Sequence, residues 1–562
     1  VRRDIFDNHC GDTALEYKGR FRRFQTPPKP MFYDRDLASL IPESNITYAP
    51  ADLSQIPFYK GLAKFGKTAP KQFNRKAFDI AVKMMRKHFR LCKGAKLTSM
   101  DEILQTVRLD TSPGPALKVL YNTKGDALSD AKFFKLYEEF EEGMLKTGGV
   151  NSYWGACSKQ ELRLKEKVRD GKTRVFMSGS LFFYLFSSKY CMDFNERFYE
   201  SVFKNSSCVG MSKFSGGFHC VYSDLLNPEN CGSLDASGWD TCMFNEMMWA
   251  IANFRRDCFL NNKNSDINIA LANIYRQITG SLIMTPLGEV CSKEQGNPSG
   301  SPNTIVDNTL GHYLLKAYDW LVLSYSELDE ELWEMYYDDF ESSVSMKLFG
   351  DDDMFSVDDK SKGFYNPVSI IRASKELGFV LTTESEELRH REQLSFLSHY
   401  VRKEENGFYV PYLPIDRLCS AAVYSETSDI FIRAQRLSNL RYEGYHTPGW
   451  LSIIDRMISY FVELHNEPEV KAVFDCSLSD KEIEHLYLPL ESLTPALKAE
   501  QGKNRSRLLK MNVCNEFSKW QSCCGLEEEI SFKEKQKQKQ ASAQSTGSCK
   551  RACDEYGILD VQ

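Results

Sequence analysis

Between Phe73 and Leu91 the apolar residues Phe78, Ile80, Ala81, Met84, Met85 and Phe89 fall at helical spacing between basic positions, which predicts an amphipathic helix. From about Asn230 to Lys403, short strand-like runs alternate with helical ones, the pattern of an α/β or α+β core. After about Asn406 the periodicity is mostly helical, most clearly over Ile430 to Leu440 and Trp450 to Leu464. The run KEKQKQKQASAQSTGS from Lys533 has almost nothing to bury, so a disordered tail is expected over 531–562. No internal repeat is present at solenoid periods. The longest apolar stretch, Leu181 to Phe186, is far short of the ~20 residues a membrane-spanning helix requires.

A chain of 562 residues, at roughly 150 per domain, predicts about three or four units. With 42% hydrophobic and 26% charged residues it is neither wholly disordered nor collagen-like nor a coiled coil. Its 17 cysteines include no Cys-x-x-Cys pair, which disfavours a zinc ribbon or disulfide scaffold and favours scattered reduced thiols. No charged-then-apolar leader is visible, so secretion is not expected. The net charge of −6 hides a lopsided distribution. Lys60 to Lys96 holds twelve Lys or Arg and one acid, whereas Glu327 to Glu341 holds eight acids and no base. Either run could be a solvated face. The basic one, with its helix, is expected to line a channel for a polyanion.

The densest chemistry lies in SMKLFGDDDMFSV, Ser345 to Val357, where two apolar-rich runs flank a Gly-Asp-Asp-Asp turn. That reads as a β-hairpin with Gly350 supplying the sharp turn. Adjacent carboxylates repel one another, so the arrangement is costly unless cations neutralise it. Upstream, CGSLDASGWD carries Asp235 at the end of a strand-like run and Asp240 five residues on. If Asp235 lies beside Asp351 on an adjacent strand, the carboxylates can clamp two divalent ions ~3.5–4 Å apart, as phosphoryl transfer requires. All-oxygen ligands suit Mg2+, with Mn2+ as a substitute. Between the two motifs, QGNPSGSPNTIVDNTLGHYLL places a flexible loop before a helix start, where backbone can approach a nucleotide or template.

Asp-x4-Asp, then Ser-Gly-x3-Thr-x3-Asn, then Gly-Asp-Asp resembles palm motifs A, B and C of viral RNA-dependent RNA polymerases. The resemblance extends outside the palm. KQELRLKEKVRDGKTRVF looks like the basic finger motif, with Lys159, Arg163, Lys167, Lys172 and Arg174 at the family's spacing. Thr111-Ser112-Pro113-Gly114-Pro115 resembles the template-guiding motif, KELGFVLTT looks like motif D, and LSFLSHYV like the primer-gripping hairpin. The motifs run in family order from about 110 to 403. GNPSG and TIVDNTL lean toward the potyvirus and astrovirus branch of the picornavirus-like group. One departure stands out. The lysine that motif D uses to protonate pyrophosphate would fall at Glu386, leaving Arg389, His390 or Arg391 as substitutes after a small shift.

The resemblance implies an α+β closed right hand with an antiparallel palm sheet packed on helices. Residues 1–230 would form the fingers with their tips, and 245–290 a fingers insertion. Residues 231–244 and 291–403 would form the palm, and 404–530 the thumb. Asp235, Asp351 and Asp352 would hold the metals. Lys159, Arg163, Lys167 and Arg174 would bind the triphosphate; Asp240, Ser299, Thr304 and Asn308 would read the ribose. Thr111, Ser112, Gly114 and Gly300 would contact template RNA. The implied partners are template and product RNA, ribonucleoside triphosphates, a protein primer and viral replication proteins, and the implied location is membrane-associated replication complexes in the host cytoplasm. A DNA-synthesising relative and a non-catalytic RNA-binding scaffold are the competing readings. Nucleotide preference separates the first, and the intact carboxylates argue against the second.

Overall fold

The computed structural model describes residues 3–21, 29–489 and 492–503, apart from 496 and 500; the expected tail from 531 onward lies outside them. Two sheets organise the chain. The larger runs in the order Glu16–Arg20, Glu289–Ser292, Leu282–Met284, Tyr153–Ser158, Val175–Ser178, with one parallel pairing, between Leu282–Met284 and Tyr153–Ser158. The smaller is antiparallel, in the order Val344–Phe349, Asp352–Val357, Cys231–Gly232.

Behind the smaller sheet lies the helix Thr304–Ser324, in which every residue from Val306 to Leu321 is buried. A helix enclosed on all sides must find partners for each polar side chain it carries. Asp307 meets the buried Arg255 at 2.7 Å and accepts from Tyr275 at 2.9 Å. Lys316, further along, meets Asp353 of the sheet at 2.5 Å.

The predicted basic helix spans Arg75–His88, capped by the Asn74 side chain accepting from Ala77 N at 3.0 Å, and it buries Phe78, Ile80, Ala81, Met84 and Met85. Its charges do not line a channel. Lys83 pairs with Glu330 at 3.2 Å, Lys87 with Asp338 at 3.3 Å, and Lys76 donates to the Leu328 carbonyl at 3.0 Å. The acidic run predicted as a separate solvated face is therefore this helix's counterpart. Exposed pairs contribute only about 0–1 kcal/mol each, so they orient the contact more than they stabilise it.

The C-terminal helices Ile415–Val423, Ile430–Glu443, Trp450–His465 and Pro468–Asp475 share one core containing Leu418, Leu437, Trp450, Ile454 and Phe461. Leu37, Ile41 and Ile46 from the start of the chain complete that core. The strand Phe32–Tyr33 pairs with Tyr424–Ser425, and Asp34 forms a buried ion pair with Arg433. A few residues later, Tyr48–Pro50 pairs with Leu162–Leu164, while Tyr48 N donates to Ser420 Oγ of the C-terminal helices at 3.2 Å. The early segment thus joins the C-terminal helices to the strand Leu162–Leu164.

Candidate active site

The acidic hairpin pairs Phe349 with Asp352, leaving Gly350 and Asp351 as its two-residue turn. Gly350 sits at φ 66°, the conformation wanted at the first position of a primed turn. Its N–H donates to Thr309 Oγ1 at 2.9 Å and its carbonyl lies 3.1 Å from His312 Nδ1. A Cβ there would meet Ile305 at 2.8 Å. Turn and buried helix are therefore locked together.

Phe355 opposes Gly232 and Ser356 opposes Cys231; continuing that register sets Leu234 beside Asp353 and Asp235 beside Asp352. The Leu234 N–H indeed donates to Asp353 Oδ1 at 2.6 Å. At Asp235 the chain changes partner, pairing Asp235–Ala236 with Leu381–Thr382, while Ser237 N donates to Val380 O at 2.9 Å. The motif D segment thus braces the strand that presents Asp235. Asp353 is the component that local sequence did not reveal. Fully buried, it faces Lys316 at 2.5 Å and His312 Nε2 at 3.6 Å. Although burial alone would raise it, Lys316 and His312 hold its carboxyl down to about 2. It underpins the site without facing it.

The acids that face the cleft, Asp235 and Asp352 exposed and Asp240 half-buried, behave in the opposite way. Desolvation in the cleft, then Asp351, Asp235 and Asp353, push Asp352 up to about 7, although water still reaches its carboxyl. Asp240 rises to about 6 through desolvation and Asp351, and Asp235 rises for the same two reasons. Lys167 and Arg174 work against the rise at Asp235. Carboxylates assembled at such cost, offering only oxygen donors, fit hard divalent cations. Among the described residues no three acidic, His or Cys groups close into a preformed cage. Mg2+ does not need one, because it keeps several waters and shares its shell with substrate phosphates. Protons on the raised carboxylates must leave as a cation binds. Mn2+ affinity is therefore expected to rise from pH 6 and to level off above about pH 7, by roughly tenfold in all for one displaced proton of the Asp352 kind. Calorimetric titration showing a flat affinity over that range would contradict the assignment.

Beside the acids, Asp240 accepts from Asn308 Nδ2 at 2.8 Å and from Ser299 Oγ at 2.7 Å. Thr304 does not join this network. Its hydroxyl donates to Pro298 O at 2.7 Å and Ser301 O at 2.9 Å, closing the loop before the helix. Asn303, at the helix start, makes no capping bond and instead donates to Ser187 at 3.1 Å.

The basic segment surrounds Glu161, which lies 3.3 Å from Lys159, 3.7 Å from Arg163 and 3.3 Å from Arg174. Lys64 joins this group. Burial and then Arg163, Lys67, Lys172 and Arg174 lower its pKa. Arg417, from the C-terminal side, is likewise lowered by burial and feels Arg174 and Glu161. So the front of the basic run reaches the cleft, while its helical part does not.

The family described as viral RNA-dependent RNA polymerase matches residues 32–463. The chain belongs to that family. The chain is 27% identical over 433 residues to the genome polyprotein of watermelon mosaic virus II (isolate USA), covering 75% of this chain and 40% of the polyprotein. It is 28% identical over 427 residues to that of plum pox potyvirus (strain El amar), covering 74% of this chain and 26% of the polyprotein. The chain therefore spans well under half the length of these relatives. Among solved structures, a sicinivirus 3Dpol RNA-dependent RNA polymerase superposes with a TM-score of 0.67 at 14% identity, covering 88% of this chain and all of that one. The likeness gives the chain a right-hand fold, and the potyvirus relatives agree with the leaning of GNPSG and TIVDNTL.

Elsewhere in the chain, Gly114 (φ 96°) rests on Gly179 and Ser180, where a Cβ would come within 2.7 Å of backbone, and Gly300 rests more tightly still on Met177 and Ser178. Both loops thus sit side by side on segment 177–180. Thr111 Oγ1 donates to Arg108 O at 2.9 Å, and Ser112 Oγ accepts from Gly114 N at 3.4 Å, which stiffens the first loop. The motif D substitutes are not brought to the acids. Arg389 pairs through its backbone with Cys231, Arg391 donates to Tyr222 O at 2.6 Å, and His390 faces Glu229 at 3.8 Å. Antiparallel pairing carries them to the end of the strand away from Asp235.

Proposed function

We propose that this polymerase copies an RNA template into RNA from ribonucleoside triphosphates, in the service of viral genome replication in infected host cells. The observation that carries the reading is the meeting of Asp235 with the Asp351–Asp352 turn, beside an Asp240–Asn308–Ser299 network. The primer 3′-oxygen forms a bond to the α-phosphorus, the bond to pyrophosphate breaks, and the hydroxyl proton leaves. A pair of divalent cations, Mg2+ or Mn2+, would lower the hydroxyl pKa and neutralise the transferring phosphate when held by Asp235, Asp351 and Asp352. Arg163, Lys167 and Arg174 orient the triphosphate, arginine offering two parallel donors to phosphate oxygens. Lys159 and Lys64 add positive potential at the same mouth. Triphosphate competes with Glu161 for these cations, so Glu161 keeps the cluster assembled between turnovers.

Thr111, Ser112, Gly114 and Gly300 form the template side, and base pairing supplies sequence choice. A protein primer and other viral replication proteins belong to the same proposal, as does a membrane-associated site of action. Among the described residues no helix is long and apolar enough to cross a membrane.

Sugar choice tests the reading. Asp240, held by Asn308 and Ser299, has lone pairs left to accept from a ribose 2′-hydroxyl, and a deoxynucleotide forgoes that bond. Asn308→Ala is expected to lower the ATP-to-dATP ratio of kcat/KM by roughly ten- to a hundredfold, mainly through slower ATP use. If Asn308 only packs the helix, both nucleotides suffer equally and the ratio stays put.

A further inference from the structure

We infer that Asn297 is a specificity-determining residue of this polymerase, acting on sugar choice by fixing which way the Asn308 amide faces. The inference rests on the sugar-reading role of Asn308 just proposed. An asparagine amide has nearly the same shape either way round, so only its hydrogen bonds decide whether oxygen or nitrogen points at a neighbour. Asp240, when ionised, only accepts, and its two oxygens take donors from Asn308 Nδ2 at 2.8 Å and Ser299 Oγ at 2.7 Å. That leaves Asn308 Oδ1 pointing backward into the core, where Asn297 Nδ2 donates to it at 3.0 Å. Turned over, Asn308 would set its oxygen against the carboxylate of Asp240. The bond from Asn297 opposes that flip.

Asn297 is itself held rigidly. It is fully buried, and its N–H donates to the Asp240 carbonyl at 2.7 Å. On one side, Gly296 N donates to Met243 O at 2.9 Å and Gln295 Nε2 to Thr241 O at 3.1 Å, so residues 295–297 lie strapped along 240–243. Behind them the buried Lys293 ammonium donates to the carbonyls of Ile278 at 2.6 Å, Thr279 at 2.9 Å, Gln295 at 3.0 Å and Gly296 at 2.7 Å. This pins the loop to the end of the helix Ser265–Thr279.

Among the described residues Asn297 Oδ1 has no hydrogen-bond partner. An apolar side chain of the same size would remove that orphaned oxygen but leave Asn308 Oδ1 without its donor, so the two costs roughly offset. What asparagine adds at 297 is the donor toward Asn308. A purely structural residue would therefore affect use of both sugars alike, whereas a specificity residue changes their ratio.

The experiment compares kcat/KM for ATP and dATP on one RNA template, with melting temperature, for Asn297→Leu, Asn297→Ala, Asn308→Ala and the Asn297→Leu/Asn308→Ala pair. Asn297→Leu should lower the ATP-to-dATP ratio about three- to tenfold, the scale of one neutral hydrogen bond, with a nearly unchanged melting temperature. Asn297→Ala should lower the ratio similarly, so the result does not depend on how leucine packs. The double variant should match Asn308→Ala alone, because Asn297 has nothing left to orient. If Asn308→Ala lowers the ratio but neither change at 297 does, the inference about Asn297 fails while the sugar-reading proposal stands. If the two changes multiply in the double variant, Asn297 does not act through Asn308 and the inference also fails. An unchanged ratio in Asn308→Ala overturns both.

Discussion

Asp351→Asn is expected to reduce nucleotide incorporation by about a thousandfold or more while RNA binding survives. Asparagine keeps the shape of the turn, so the Gly350 contacts to Thr309 and His312 remain. What disappears is the charge needed to hold a divalent cation, and such cations supply several kcal/mol of transition-state stabilisation; each ~1.4 kcal/mol is tenfold in rate. The same change should not destabilise the metal-free protein. Asp351 is among the causes that raise Asp352, Asp235 and Asp240, so the cluster repels itself increasingly as pH rises through their titration. Removing one member relieves most at high pH, and the variant's melting temperature at pH 8 without metal should equal or exceed that of the wild type. Single-nucleotide incorporation under quench-flow, with filter-binding to RNA, checks the first part. Near-normal incorporation would remove Asp351 from the metal site.

Lys316→Met should cost about 3–5 kcal/mol of stability, the scale of breaking a buried ion pair on one side only. Lys316 and Asp353 are both fully enclosed, and Asp353 also receives the Leu234 N–H, so the pair ties the buried helix to both acid-bearing strands. In the wild type, the Asp353 carboxyl lies below its ordinary range, so its contribution is complete above about pH 4 and lost as pH falls toward 2. Without Lys316 the carboxyl is buried with only His312 nearby at 3.6 Å, and its pKa rises instead. Stability of the variant should therefore fall as pH rises from about 4 toward neutrality, the reverse of the wild-type trend. Adding Asp353→Leu should recover part of the loss, since an apolar pair replaces a broken ionic one. Denaturant unfolding at several pH values measures all of this. A loss under about 1 kcal/mol would show that His312 or water compensates.

The sequence displayed those parts of the site whose meaning is local. Gly350–Asp351–Asp352 and Asp235-x4-Asp240 are short patterns with few conformations open to them, and the register brings them together as their spacing suggested. The Asn308–Asp240–Ser299 network is also within reach, because an ionised Asp240 only accepts and so fixes Asn308 and Ser299 as its donors. What escaped depends on pairing across long separations. The helix Arg75–His88 was read as channel lining because its acidic counterpart lies some 250 residues away, and two complementary charge runs carry no sign that they meet. Lys316 is one polar position in a mostly apolar helix, and nothing near it in the sequence points to Asp353 as its partner. The strap of residues 32–50 is invisible for the same reason: its strands are only two and three residues long, and their partners lie far away in sequence. Motif D misled in a different way. Arg389, His390 and Arg391 have suitable chemistry, but antiparallel pairing to Cys231 directs them away from the acids.

Primer extension on an RNA template by the EDTA-treated full chain, with Mg2+ titrated back, tests the central claim most directly. The account predicts no extension without the cation and template-directed ribonucleotide addition as Mg2+ is restored. It further predicts no addition at any Mg2+ concentration in Asp235→Asn, a variant that still binds the primed template. Extension that persists in EDTA, or that Asp235→Asn supports at wild-type rates, would contradict it.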